Sequence, residues 1–227
     1  MKNQVSISPI GYIRADFKEK FGIPRQSGRA PSCLCELVLL PKFQSQEHFR
    51  CIQEFSHLWL IFDFSKTREK GYNPTVRPPR LGGNTRVGVF ASRSPFRPNH
   101  LGLSCVRLVE IKHENKQTVL VLAGADLLDG TPVFDIKPYL PFTDCIPQAV
   151  GGYADRERAH KLQVDFPVEL LEKIPQEKRA GLLECLADDP RPSYQENERE
   201  YGMRFASFNL RFRVNNNRLE VFEVQSL

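Results

Sequence analysis

No apolar run in the chain approaches the roughly 18 residues that a membrane-crossing helix needs. The opening Met1-Lys2-Asn3-Gln4-Val5-Ser6 also lacks the apolar core of a secretory signal, so a cytoplasmic protein is expected. There is no Cys-x-x-Cys pair, and the five histidines stand far apart without ligand spacing. A zinc site is therefore not expected, and Cys33, Cys35, Cys51, Cys105, Cys145 and Cys185 read as reduced thiols acting as small core residues. No Gly-x-Gly-x-x-Gly follows a strand pattern anywhere. Gly82-Gly83 comes after a basic, proline-rich stretch and is a poor substitute, so a Rossmann nucleotide fold has no support. Repeats and low-complexity tracts are absent.

The composition is that of an ordinary globular protein, with 41% hydrophobic and 26% charged residues. At 227 residues the chain is long enough for one large domain or for a medium and a small one. Its formal charge of +5 suits a phosphate-bearing partner without requiring one.

Residues 1 to 150 read as mostly strand. Val5-Ser6-Ile7 opens the series, and residues 34–40, 58–62, 86–91, 103–111 and 118–123 continue it. Residues 58–62 are apolar on both faces, as in a strand covered on both sides or at a subunit contact. Turn chemistry separates these runs at Leu81-Gly82-Gly83-Asn84, His113-Glu114-Asn115-Lys116 and Asp129-Gly130-Thr131-Pro132. Residues 45–55 carry Phe49, Ile52 and Phe55 at helical spacing and predict a short helix. Many short strands punctuated by glycine and proline point to an antiparallel sheet curled into a barrel.

Ala149-Val150-Gly151-Gly152 forms the natural boundary. Beyond it, residues 151–227 predict a small α+β domain: a helix over 175–186, then alternation from Phe205 to Val214, a turn at Asn215-Asn216-Asn217, and a returning strand over 219–224. Residues 151–166 are polar and charged, and leave a helix or a mobile excursion open.

The densest chemical signal lies between two apolar runs, in Ala91-Ser92-Arg93-Ser94-Pro95-Phe96-Arg97-Pro98-Asn99-His100-Leu101-Gly102-Leu103-Ser104. Its prolines and glycine predict one stiff shape, and guanidinium groups on a stiff loop can hold a planar or anionic ligand in fixed geometry. This segment resembles the signature Arg-Ser-x-Phe-Arg-Pro-Asn-Pro-Ile-Gly of the TsaA/TrmO-like family, S-adenosylmethionine-dependent methyltransferases of threonylcarbamoyl-modified adenosine in tRNA. Residues 21–28 (Phe-Gly-Ile-Pro-Arg-Gln-Ser-Gly), 57–66, 126–139 (opening Asp-Leu-Leu-Asp-Gly-Thr-Pro) and 188–194 (Asp-Asp-Pro-Arg-Pro-Ser-Tyr) fit the same family in the same order. The resemblance therefore spans nearly the whole chain. His100 and Leu101 stand where the family pattern has Pro-Ile.

The resemblance implies a β-barrel methyltransferase outside the Rossmann class, with S-adenosyl-L-methionine as cofactor, tRNA as partner, a homodimer with cofactor near the subunit interface, and no metal. It carries cofactor contacts onto Pro24, Arg25, Gln26, Ser65, Lys66, Arg93, Leu103, Asp126, Leu127, Leu128 and Asp129. These residue types make chemical sense. Cations suit the cofactor's carboxylate, carboxylates suit its ribose hydroxyls or ammonium, and Leu103 offers an apolar floor for adenine. On their own, Ser65-Lys66 would read as a solvated strand end, and Asp129 as the Asp-Gly of a turn.

For tRNA, Arg77 and Arg80, with Arg86 beside them, form a proline-stiffened basic strip suited to phosphates. Arg97, Arg191 and Tyr194 are further substrate candidates, Arg211 and Arg213 add basic surface, and Lys137 is a candidate for the threonyl carboxylate. The accepting N6 must lose a proton, for which Asp129, Asp135 and Tyr139 are the candidates, with no choice among them. Two other readings remain: a non-catalytic RNA-binding barrel, and a methyltransferase acting on another acceptor.

Overall fold

The computed structural model describes residues 5–78, 81, 84–114, 117–157, 161–191 and 199–227. Eight strands precede residue 140: β1 (Gly11–Ala15), β2 (Leu34–Leu39), β3 (His57–Asp63), β4 (Thr75–Val76), β5 (Val87–Gly88), β6 (Leu101–Glu114), β7 (Gln117–Ala123) and β8 (Pro132–Pro138). Six of them close an antiparallel barrel in the order β1-β2-β7-β6-β3-β8, while β4 and β5 pair separately. The expected antiparallel barrel is thus present.

Alternation along the strands fills the barrel. Ile13, Leu37, Leu39, Leu58, Leu60, Phe62, Leu120, Leu122 and Val133 are buried together in one cluster. Each takes the inward place on its strand, as a pleat of period two requires. Gly102 is set by close approach: a Cβ there would stand 2.2 Å from Cζ of Phe62, whose ring is in this core. The signature segment therefore enters β6 through a position that only glycine fits.

A short α1 (Pro141–Asp144) leads out of the barrel, followed by β9 (Gln163–Asp165), α2 (Val168–Leu171), α3 (Gln176–Ala187), β10 (Glu200–Phe205), β11 (Phe208–Asn215) and β12 (Arg218–Ser226). These four strands form one sheet, β10-β11-β12-β9, in which β9 runs parallel to β12. The sheet and α3 enclose a second core of Ile174, Leu182, Leu186, Met203, Phe205, Leu210, Phe212 and Val221. Phe17, Ala30 and Cys33, from the β1–β2 connection, complete it. Charged contacts reinforce the junction: Lys178 pairs with Asp16 at 2.5 Å, Glu184 accepts from the Ser32 N–H and hydroxyl at 2.8 Å, and Arg29 pairs with the buried Asp188. No described helix is long and apolar enough to cross a membrane.

Several elements depart from the sequence pattern. Val5-Ser6-Ile7 is not a strand. The helix expected over 45–55 is two 3-10 turns, Gln46–Phe49 and Ile52–Glu54, separated at Cys51 by a φ of +65°. Phe49, Ile52 and Phe55 nonetheless pack on the barrel core, so their spacing recorded burial rather than helix. The run over 86–91 is strand only at Val87–Gly88, and Val89–Ala91 is a 3-10 turn. The alternation read from Phe205 through Val214 crosses a hairpin turn at Ala206 (φ +53°), with Phe205 and Phe208 opposite one another on β10 and β11.

Candidate active site

At one end of the barrel the β1–β2 connection, the turn after β3, the signature loop and the segment after β7 surround a cavity of about 1540 Å³. The signature loop is held by its own side chains. Arg97 Nη1 donates to the carbonyls of Val89 (3.1 Å) and Ser92 (2.7 Å), the Ser92 hydroxyl donates to the Val89 carbonyl (2.9 Å), and the Ser94 hydroxyl accepts from the Phe96 N–H. The stiffness expected from the prolines thus depends largely on a guanidinium clamp. Arg97 faces its own loop, which argues against the substrate role assigned to it. His100 adopts φ +53°. Proline, with φ near −65°, cannot take that conformation, so this departure from the family pattern is also one of backbone shape.

The clamped loop aims Arg93 across the cavity, where its Nη1 donates to Gln26 Oε1 at 2.6 Å. Gln26 in turn donates to the Arg25 carbonyl, and Arg25 Nη2 reaches the carbonyls of Asp189 and Arg191 in the C-terminal region. Asp126 also lines the cavity. Its Oδ1 accepts from the buried Ser104 hydroxyl at 2.5 Å. Burial pushes the Asp126 carboxyl above the ordinary range, while Ser104, nearby Arg93 and the Ser27 N–H pull it back in part.

Of the expected cofactor residues, Pro24, Arg25, Gln26, Ser65, Lys66, Arg93, Asp126, Leu127 and Leu128 all line this one cavity. Two do not. Asp129 turns away, accepting from the Ala15 N–H at 3.0 Å and pairing with Lys18 at 2.8 Å. Desolvation raises its carboxyl, but the Lys18 and Ala15 contacts outweigh this and leave it below the ordinary range. Asp129 is therefore placed to anchor the turn, and its low proton affinity makes it a weak base. Leu103 lies on the outer face of β6, 55% exposed, away from the cavity.

The substrate candidates separate further. Arg77 lines the cavity, with Arg86 beside it. Arg80 and Tyr194 lie outside the described residues. Arg191 is buried and holds Asp189 through Nε at 2.9 Å and Nη2 at 3.0 Å, so it is not the exposed phosphate contact that was expected. Arg211 and Arg213 are paired with Glu200 and Glu223, which neutralises the basic face expected on the hairpin. Lys137 pairs with Asp135 at 2.9 Å, and Tyr139 packs on Trp59 with ring centroids 5.7 Å apart. None of Asp129, Asp135 and Tyr139 lines the cavity, whereas the carboxylates of Asp63, Asp126 and Asp155 do.

Sequence reasoning missed Asp63, Lys20, Lys70, Tyr72, Phe90 and Tyr153, which also line the cavity. Single residues in unrelated segments carry no spacing signal. Phe90 is 77% exposed at the rim, with the Arg97 guanidinium over its ring at 5.9 Å from the centroid.

Residues 12–145 match the tRNA-methyltransferase O N-terminal domain, and residues 159–227 match the TrmO C-terminal domain. The chain belongs to the TrmO family. It is 44% identical over 225 residues to the tRNA (adenine(37)-N6)-methyltransferase of Escherichia coli, covering 95% of this chain and 96% of that protein. It is 45% identical over 212 residues to a putative S-adenosylmethionine-dependent methyltransferase, RcsF, of Pseudomonas aeruginosa, covering 88% of each. The crystal structure of TrmO from Pseudomonas aeruginosa superposes with a TM-score of 0.79 at 35% identity, covering 98% of this chain and all of that one. TrmO membership and the non-Rossmann barrel agree, and both match the sequence-level expectation.

Proposed function

We propose that the chain transfers a methyl group from S-adenosylmethionine to N6 of adenine 37 in tRNA, the activity for which its Escherichia coli relative is named. The adenosine it accepts is the one already carrying a threonylcarbamoyl group. The observation that carries this reading is the Asp126–Arg93–Gln26 constellation in a cavity with a basic and aromatic rim. A pure phosphate binder has no use for a buried carboxylate, which repels its ligand. A cofactor with a ribose diol, an ammonium and a carboxylate uses both signs of charge. The non-catalytic RNA-binding barrel is disfavoured on that ground.

The residues fit the cofactor by chemical type. Asp126 suits a ribose hydroxyl or the ammonium, Arg93 suits the carboxylate, and Leu127 and Leu128 supply apolar wall. Bound S-adenosylmethionine supplies an electrophilic methyl on its sulfonium. The chain's own part is orientation and exclusion of water, which the clamped loop favours by holding Arg93 in place before any ligand arrives. Proton removal from N6 falls to a carboxylate of the cavity wall, Asp126 or Asp155, rather than to Asp63, which Arg68 holds at 2.6 Å, or to Asp129, Asp135 or Tyr139.

For tRNA, Lys66, Arg77 and Arg86 at the cavity offer phosphate contacts, and Tyr72 and Phe90 offer faces on which unstacked bases rest. The C-terminal region, residues 151–227, contributes through Tyr153, whose hydroxyl donates to the Ala91 carbonyl at 2.9 Å, and through Pro190. A tRNA substrate places the enzyme in the cytoplasm.

We also propose a homodimer. On the outer barrel face Ile61 of β3 pairs with Leu103 of β6, flanked by Trp59 opposite Cys105 and by Leu101 opposite Asp63. Such a face reaches a cofactor only if it is a partner copy's, which reconciles Leu103 with its family role. Leu103→Asp is expected to yield a monomer in sedimentation velocity, with weakened cofactor binding. An unchanged dimer would remove this face from the interface.

The catalytic reading is tested with purified protein, radiolabelled S-adenosylmethionine, and tRNA with or without the threonylcarbamoyl modification. Label is expected only in the modified tRNA. Label in neither, from folded protein that still binds tRNA, would favour the RNA-binding barrel instead.

A further inference from the structure

Lys20 lies in the β1–β2 connection, and Lys70 closes the 3-10 turn Ser65–Lys70 that follows β3. Fifty positions apart in sequence, both line the same cavity. Lys18, Lys178 and Lys137 have carboxylate partners in Asp129, Asp16 and Asp135, whereas Lys66, on the same cavity wall, has none among the described residues. Among the described residues, neither Lys20 nor Lys70 forms an ion pair or side-chain hydrogen bond.

We infer that Lys20 and Lys70 form a carboxylate site that holds the threonyl carboxylate of the modified adenosine. This rests on the tRNA methyltransferase reading above. Two ammonium groups of like sign on one cavity wall, neither of them paired with the carboxylates of Asp63, Asp126 or Asp155 that line it too, are unfavourable until an anion arrives between them. Burial first, and the positive charge of Lys70 second, push the Lys20 ammonium below its ordinary proton affinity, consistent with that convergence.

Carboxylate is the anion class that fits. Within the nucleoside itself, the threonyl carboxylate is the one negative charge, whereas phosphates belong to the backbone outside the pocket. The methionine carboxylate of the cofactor already has Arg93, on the loop that also carries Arg97. The cavity of about 1540 Å³ exceeds the roughly 300–1,000 Å³ typical of a single small-ligand site, which leaves room for a nucleoside beside the cofactor. Two compact ammonium groups can each take one carboxylate oxygen. Lys137, the sequence-level candidate for this contact, lies outside the cavity and is already paired.

The test is methyl transfer by the full-length protein on two tRNAs. One carries threonylcarbamoyladenosine; in the other its carboxylate is converted to the primary amide with a carbodiimide and ammonia. For the unaltered enzyme, amidation is expected to raise KM for tRNA tenfold or more. The double variant Lys20→Ala/Lys70→Ala should show that raised KM on the carboxylate tRNA, little further change on the amide, and an unchanged Kd for S-adenosylmethionine in calorimetry. Lys20→Arg/Lys70→Arg should restore most of the discrimination, which a folding defect would not permit. Equal losses on both tRNAs would assign the lysines to phosphates and overturn the inference. A raised Kd for the cofactor would assign them to its methionine carboxylate, with the same consequence. Methylation of neither tRNA by the unaltered enzyme would overturn the catalytic reading itself, and is distinguishable from every result above.

Discussion

Arg93→Ala is expected to weaken S-adenosylmethionine binding by about 30–100-fold in titration calorimetry, with little change in thermal stability. The lost interaction is a charge-assisted one, worth about 1.5–3 kcal/mol, and each 1.4 kcal/mol is about tenfold in affinity. The upper part of that range applies because Arg93 acts twice. It holds Gln26 at 2.6 Å, and its charge lowers the proton affinity of Asp126 across the cavity. Its removal therefore frees Gln26 and leaves a desolvated carboxylate less compensated. The fold should tolerate the change, because the loop is clamped by Arg97 and its serines rather than by Arg93. Unchanged affinity would remove Arg93 from the site.

Asp126→Asn should separate stability from function. Burial raises the Asp126 carboxyl, so its folded proton affinity exceeds that of the unfolded chain. Between the ordinary value of about 3.9 and the raised folded value, the folded state holds more protons than the unfolded one. Stability from this group therefore falls as pH rises through that window and stays lower at neutral pH. Asparagine carries no charge to desolvate and keeps an oxygen to accept from Ser104. The variant is expected to melt no lower than the parent at pH 7, and to lose the Asp126 contribution to the decline in melting temperature above about pH 4. Cofactor affinity should fall by about tenfold or more, the loss of one charged hydrogen bond. A lower melting temperature at neutral pH would mean that the carboxylate stabilises the fold.

The barrel was legible where strands were long. β3 and β7 each present an unbroken apolar run and β6 a long strand pattern, and the pairing of β11 with β12 follows from Asn215-Asn216-Asn217. β1, only five residues long, and β8, bounded by proline at both ends, were not read as strands, and the turn at Ala206 was hidden inside unbroken alternation. Helical spacing misled over 45–55, because three aromatic and aliphatic residues can reach one core from two separate 3-10 turns.

The cavity wall was legible for a different reason. Pro24-Arg25-Gln26, Ser65-Lys66 and Asp126-Leu127-Leu128 are local strings whose residue types already state their chemistry, and Arg93 sits in a loop with no other evident use. By itself, then, the sequence determined the family, the mainly β architecture with its smaller C-terminal unit, and a core set of the residues facing the cavity, nine of the eleven named for the cofactor among them.

What each charged side chain does was decided only in three dimensions. Arg97 clamps its own loop, Asp129 anchors β1, Arg191 is buried against Asp189, and Arg211 and Arg213 meet Glu200 and Glu223. Lys20 and Lys70 are left facing each other's charge. A charge's partner depends on distances between segments remote in sequence, and electrostatic energy falls with separation and with exposure to water. Residue type announces a cation; only the folded chain decides whether it is already neutralised or still available to bind.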